Sequence, residues 1–230
     1  LINLARAMPR PEPGRPPGAL AAHYGTESTR ESVGTSHISV VDRSGNAVSM
    51  TTTIESAFGS GVWAAGFLLN NELTDFSFRP VDRAGRPIAN RVEAGKRPRS
   101  SMAPTIVIDE TGDFKAALGS PGGSRIILYV IKSIVGIVDW RLDAQAVADL
   151  RNFGSRGSGF ELEFGEAITL TSPWQALRQR PSIWYGIRMR PFGHRLRPSL
   201  MTSGVHVVMR ANGQLEGGAD PRREGVARGD

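Results

Sequence analysis

A threonine that follows glycine and opens an apolar, β-branched run, Gly34-Thr35-Ser36-His37-Ile38-Ser39-Val40-Val41-Asp42, carries most of the chemical information in this chain. If the bond between Gly34 and Thr35 is cut, one residue gains both a nucleophile and a base. The freed α-amine has a pKa of about 8, so it can take the proton from its own hydroxyl as that oxygen attacks a carbonyl. No histidine or carboxylate is then needed to activate it. Taken alone, the run also suits Thr35 and Ser36 as plain strand-entry residues. Pro121-Gly122-Gly123 suits the same chemistry, because a glycine turn entering a helix can aim unshielded N–H groups at one developing oxyanion. By itself such a tripeptide is equally a simple turn. In a loop, the adjacent hydroxyls of Ser100 and Ser101 can both point at one carboxylate, whereas in a strand they would face opposite ways.

The elements that must hold these groups follow from periodicity and turn residues. His37–Asp42 and Ala47–Thr53 are β-branched strands joined by Arg43-Ser44-Gly45-Asn46, a hairpin signal. Their register alone returns Thr53 to the side of Thr35. Thr105–Asp109 and Phe114–Leu118 form a second hairpin around Glu110-Thr111-Gly112-Asp113, and Val205–Arg210 and Gln214–Gly217 a closing one around Ala211-Asn212-Gly213. Ser124–Val138 reads as a buried helix opened by the glycine turn, followed by a shorter helix over Asp143–Leu150. Strand pairs around central helices indicate an α+β chain. Arg10–Gly18 is dense in proline and glycine and reads as a linker.

Further blocks follow in fixed order. They are Gly45-Asn46-Ala47-Val48, the stretch Thr51-Thr52-Thr53-Ile54-Glu55-Ser56-Ala57-Phe58-Gly59-Ser60-Gly61, and Leu68-Leu69-Asn70-Asn71-Glu72-Leu73-Thr74-Asp75-Phe76-Ser77. After them come Arg97-Pro98-Arg99-Ser100-Ser101-Met102-Ala103-Pro104-Thr105, Leu118-Gly119-Ser120-Pro121-Gly122-Gly123-Ser124-Arg125 and Glu216-Gly217-Gly218-Ala219-Asp220-Pro221-Arg222. In this order the chain resembles the small, catalytic subunit of the γ-glutamyltranspeptidase family of N-terminal-nucleophile hydrolases. The likeness is close from Thr35 to about Ser133 and resumes from Met201 to the C-terminus.

That resemblance implies a four-layered αββα sandwich and a precursor that cuts itself between Gly34 and Thr35 into associated large and small subunits. Residues 1–34 would then be the tail and linker of the large subunit and 35–230 the small catalytic subunit. With Leu1 first and no initiator methionine, a fragment of an uncleaved precursor is expected, most of the large subunit lying outside it. The implied activity is that of a γ-glutamyltransferase or glutathione hydrolase. An acyl-enzyme on Thr35 takes the γ-glutamyl group from glutathione or another γ-glutamyl donor and passes it to water or to an amino-acid or peptide amine. Thr53 would hydrogen-bond the nucleophile, and Gly122 and Gly123 would form the oxyanion hole. Ser100 and Ser101 would bind the donor α-carboxylate, and Glu72 and Asp75 its α-ammonium. No cofactor is expected, and the resemblance implies a periplasmic or secreted location.

Two departures bear on substrate choice. Glu55 stands where the family pattern has asparagine, adding a third carboxylate near the ammonium site; this could tighten an amine-bearing donor or raise a neighbour's pKa by like-charge repulsion. The large-subunit arginine that pairs with the donor carboxylate falls outside this sequence. Two rival readings are a cephalosporin-acylase-like amidase of the same superfold and an inactive, unprocessed fragment serving only for association.

Composition narrows the remaining classes. A chain of 230 residues, 40% apolar, can bury one sizeable core, and its longest apolar candidate, Ile126–Val138, is too short to span a bilayer and is interrupted by Lys132 and Ser133. Zero cysteines exclude disulfides and thiolate chemistry. His23, His37, His194 and His206 show neither metal spacing nor a triad pattern, and His37 reads as packed or hydrogen-bonded rather than catalytic. The net charge of +6 resides in Arg178, Arg180, Arg188, Arg190, Arg195 and Arg197, within a proline-rich window, 173–200, that has no acidic residue. The rest is neutral, so no nucleic-acid partner is expected. The helix and strand implied by the resemblance are not found in that window. A basic surface loop, a lineage-specific insertion or a misread frame all fit it, and the 25 arginines against three lysines, typical of a GC-rich gene, favour the last.

Overall fold

The structure is a computed structural model and describes Arg6, Met8, Tyr24, Gly25, Glu27 and residues 34–156, 159–164 and 187–229. The linker at 10–18 and the part of the basic window at 173–186 lie outside the described residues. Strands β1 (Gly34–Val41) and β2 (Ala47–Glu55) pair antiparallel as a two-stranded sheet. The turn between them is organised by Asp42, whose carboxylate accepts the N–H groups of Ser44 and Asn46 at 2.9 and 2.8 Å, while Gly45 takes a φ of 84°. Short strands β3 (Trp63–Ala64) and β4 (Phe67–Leu68) form a small hairpin. Next come β5 (Thr105–Ile108) and β6 (Phe114–Gly119), then helix α1 (Ile126–Val138) and helix α2 (Ala144–Asp149), N-capped by Asp143 through the Ala146 N–H at 2.7 Å.

Strands β7 (Phe153–Ser155), β8 (Phe160–Glu163) and β9 (Leu196–Ser199) make a three-stranded sheet in which β8 and β9 run parallel. The chain closes with β10 (His206–Ala211) and β11 (Gln214–Ala219), turned at Asn212 and Gly213, both in the left-handed region. A four-stranded sheet of order β11-β10-β6-β5 is the centre of the molecule. Strand β9 corrects the sequence reading, which found no strand inside the basic window. Pro198 hides it, but β9 is an edge strand. The carbonyls of Arg195 and Ser199 accept from Phe160 and Phe164 of the β8 segment, so the alternate position of Pro198 faces outward, where a missing N–H leaves no ladder bond unmade.

The layers follow from which faces are apolar. Helix α1 turns Ile126, Tyr129, Val130 and Ile137 onto one face of the central sheet, where they meet Ala116, Leu118, Val207, Met209 and Val147 in the core. The β1–β2 hairpin covers the opposite face, and this contact is polar. Ser49 Oγ donates to the Leu118 carbonyl at 2.9 Å and accepts from the Thr105 N–H at 3.1 Å, and His206 Nδ1 bonds the His37 carbonyl at 2.8 Å. His37 is buried over Gly119, which has no room for a Cβ, and its ring bonds Thr51 and Ser39 at 2.8 and 3.0 Å. It is packed and hydrogen-bonded as expected, and burial, with His206 beside it, pushes its pKa down to about 4. The hairpin's aliphatic residues, Ile38, Val40, Val48 and Met50, therefore face outward, each about half exposed. Helix, sheet and sheet form three consecutive layers of an αββα arrangement.

Candidate active site

The nucleophile candidate sits at an irregularity that the hairpin builds for it. Thr35 is paired with Thr53 as the register predicts, but Gly34 pairs with Glu55, so Ile54 is an extra residue and the ladder bulges at the Gly34–Thr35 bond. A Cβ on Gly34 would lie 2.2 Å from the Glu55 carbonyl oxygen, and glycine fits this contact where larger residues would have to displace it. Thr53 Oγ1 accepts the Glu55 N–H at 2.8 Å and donates to the Gly34 carbonyl at 2.6 Å. The accepted bond fixes the hydroxyl's lone pair, which leaves its single proton aimed at the carbonyl between Gly34 and Thr35.

The bulge also turns the end of β2. Glu55 has a φ of 71°, uncommon for a residue with a Cβ, and its side chain is buried rather than continuing the strand. Asn71 ties the next loop to this end: its N–H bonds the Ile54 carbonyl at 3.3 Å and its side-chain oxygen accepts the Ser56 N–H at 2.9 Å. A 3-10 turn over Glu72–Asp75 follows directly. Carboxylate oxygens of Glu55, Glu72 and Asp75 thereby come within 4.8 Å of one another, a spacing that could hold a metal ion or an ammonium group. Burial, then Asp75, then Glu55, hold the Glu72 carboxyl above the usual carboxylate range.

One cleft, open to solvent, is lined by Thr35, Thr53, Glu55, Glu72, Asp75, Ser100, Ser101 and Gly123. Of the site residues expected from the sequence, Gly34, on the far side of the bond to be cut, is not on this lining, and neither is Gly122. It is the next residue back, at the start of the 3-10 turn Gly123–Arg125, with a φ of 137°. Tyr129 fills the space behind it, 2.6 Å from where a Cβ would stand. Arg99, Met102 and Ile126 also line the cleft and were not singled out from sequence. Arg99 donates to Glu27 at 2.9 Å, and Asn90 accepts the Arg99 N–H at 3.0 Å while donating to the Asp75 carbonyl at 2.7 Å. The second arginine of Arg97-Pro98-Arg99, next to the serine pair, was the available signal.

The arrangement joins a hydroxyl beside a polarised backbone carbonyl, a cluster of acids, a hydroxyl pair and a glycine turn across one cleft. A family model described as Gamma-glutamyltranspeptidase matches residues 1–229. The chain belongs to the gamma-glutamyltranspeptidase family. The glutathione hydrolase proenzyme of Escherichia coli (strain K12) is 34% identical over 229 residues, covering 96% of this chain and 35% of that relative. The chain spans about a third of the length of the curated relatives it matches. The crystal structure of Helicobacter pylori gamma-glutamyltranspeptidase superposes with a TM-score of 0.62 at 32% identity, over 81% of this chain and 99% of that one. The cephalosporin acylase of Bacillus halodurans matches with the same TM-score of 0.62 at 21% identity, over 81% of this chain and 32% of its own, a likeness of fold. These neighbours carry the N-terminal-nucleophile fold of the family.

Within this frame, Glu55 is the residue whose effect can be read directly. Glu55→Asn removes one of three carboxylates, and where the cluster holds the ammonium of a donor, a lost charge-assisted contact of about 1–1.4 kcal/mol should raise KM about fivefold to tenfold. It also removes one repulsion on Glu72, so the acid limb of kcat/KM should move to lower pH. A pH series of kcat/KM on both proteins checks this; an unmoved limb would contradict the assignment of Glu72 to the clamp.

Proposed function

We propose that this chain provides the nucleophile, oxyanion turn and donor clamp of a γ-glutamyl hydrolase and transferase that acts on glutathione or similar donors and activates itself by cutting between Gly34 and Thr35. The observation that carries the reading is the hydrogen bond from Thr53 to the Gly34 carbonyl, with Thr35 next to it and three carboxylates on the same cleft. In the cut, Thr35 Oγ1 attacks the Gly34 carbonyl carbon while Thr53 stabilises the oxygen. The Thr35 hydroxyl proton passes to the leaving nitrogen as the C–N bond breaks, so the α-amine of Thr35 is freed, and water hydrolyses the resulting ester to leave Gly34 as a carboxylate.

In turnover, the freed amine takes the Thr35 hydroxyl proton as the oxygen attacks the donor's γ-carbonyl. Glu55, Glu72 and Asp75 hold the donor ammonium and Ser100 and Ser101 its carboxylate, which fixes the carbonyl against Thr35. The N–H groups of Gly122 and Gly123 receive the oxyanion, the leaving amine takes the proton, and water or an amino-acid or peptide amine then releases the γ-glutamyl group. An ammonium-plus-carboxylate clamp has no use in an acylase whose donor lacks an amino-acid head, and this favours the γ-glutamyl reading over the amidase one. The outward aliphatic face of the hairpin, Ile38, Val40, Val48 and Met50, supports a large-subunit partner that covers it. Mass spectrometry of the expressed protein should find a new N-terminus at Thr35, accompanied by release of p-nitroaniline from γ-glutamyl-p-nitroanilide. An intact, inactive chain would instead favour the association-only alternative.

A further inference from the structure

We propose that Glu161 is a positioning residue for the oxyanion turn: from strand β8 it fixes, through Arg125 and Arg156, the two residues that follow Gly123. The inference rests on the γ-glutamyl reading above and adds to it a residue that never touches substrate. Glu161 is 7% exposed. One carboxylate oxygen accepts from Arg125 Nε at 2.9 Å and the other from Arg156 Nη2 at 2.8 Å. Arg125 ends the 3-10 turn that Gly123 begins, and its Nη2 also donates to Ser199 Oγ of β9 at 2.9 Å. Arg156 Nη1 donates to Ser124 Oγ at 2.6 Å. Both residues after the glycine pair are therefore gripped from one buried carboxylate.

The surrounding elements leave this grip little slack. Gly154 of β7 lies against Leu128 of α1, with the leucine side chain 2.6 Å from where a Cβ would stand, and this brings Arg156 to the start of the helix. Tyr129 supports Gly122 from below. Glu161 loses hydration through burial, yet the hydrogen bonds from Arg156 and Arg125 outweigh that loss and keep its carboxyl below the usual range, hence ionised at neutral pH. A charged hub matters because oxyanion donors act only when held where charge develops, and small displacements of such groups are costly in rate.

The test uses the assembled, self-cleaved enzyme and γ-glutamyl-p-nitroanilide, with kcat expressed per active site from burst titration. Glu161→Gln should cut normally at Gly34–Thr35, because that carbonyl is held by Thr53 rather than by the turn. It should keep KM within about twofold and lose kcat by about 10-fold to 100-fold. Glu161→Asp, which restores the charge, should recover part of the loss. An unchanged kcat per site, or a raised KM with kcat intact, would overturn the assignment. If Glu161→Gln does not fold, Arg156→Lys on the more exposed partner is judged by the same kcat-against-KM criterion. A wild-type enzyme that neither cuts nor turns over would refute the γ-glutamyl reading instead, so the two failures are separable.

Discussion

Thr35→Ala should leave the chain whole and release no p-nitroaniline above the uncatalysed rate. In the proposed scheme both steps draw on the same oxygen: its attack on the Gly34 carbonyl makes the cut, and its attack on the donor makes the acyl-enzyme. The bulge and the Thr53 hydrogen bond belong to the backbone and to the neighbouring strand, so the variant should fold with the scissile carbonyl still polarised. Only the nucleophile is missing. Loss of a nucleophile that acts in a covalent mechanism typically removes a factor of about 10³ or more. Thr35→Ser keeps the hydroxyl and should retain both cutting and turnover at reduced rates. Gel mobility, intact mass and the anilide assay read the three proteins side by side, and residual cutting in the alanine variant would sink the scheme.

The second large effect is expected at the glycine turn. Gly122→Ala places a methyl 2.6 Å from the Tyr129 ring while the backbone sits at a φ of 137°, which side-chain-bearing residues avoid. Tyr129 is 2% exposed and cannot withdraw, so the turn must move. Displacing an oxyanion donor costs about 10²-fold to 10³-fold in kcat. KM for the donor should change little, because the residues proposed to clamp its carboxylate and ammonium lie on other loops. Cutting at Gly34–Thr35 should persist. A variant with normal kcat would exclude Gly122 from the oxyanion hole, and one that fails to cut would mean that the turn also serves maturation.

Much of the scaffold was legible because it rests on local rules. The period-2 strands around Gly45, Gly112 and Asn212-Gly213 each gave a hairpin, and the pairing of Thr35 with Thr53 needed only the register. Helix α1 followed from its apolar spacing. What stayed hidden depends on partners distant in sequence. The bulge opposite Gly34 has no marker of its own, since Ile54 and Glu55 look like further strand residues. Strand β9 contains Pro198 and is a strand only because β8 offers it an edge. The grip of Arg125 and Arg156 on Glu161 spans 36 residues and lies in a segment of ordinary composition. The setting of Arg99, Glu27 on one side and Asn90 on the other, is assembled from segments distant in sequence.

The left-handed backbone at position 55 has a consequence for how such a pocket can diversify. A residue there pays roughly 1–2 kcal/mol unless it is glycine or one of the short polar types that tolerate this conformation. The glutamate here lies outside that short alphabet. New charge at this end of the cleft can thus be written in only a few letters, and Glu55 is a strained one that brings a third carboxylate.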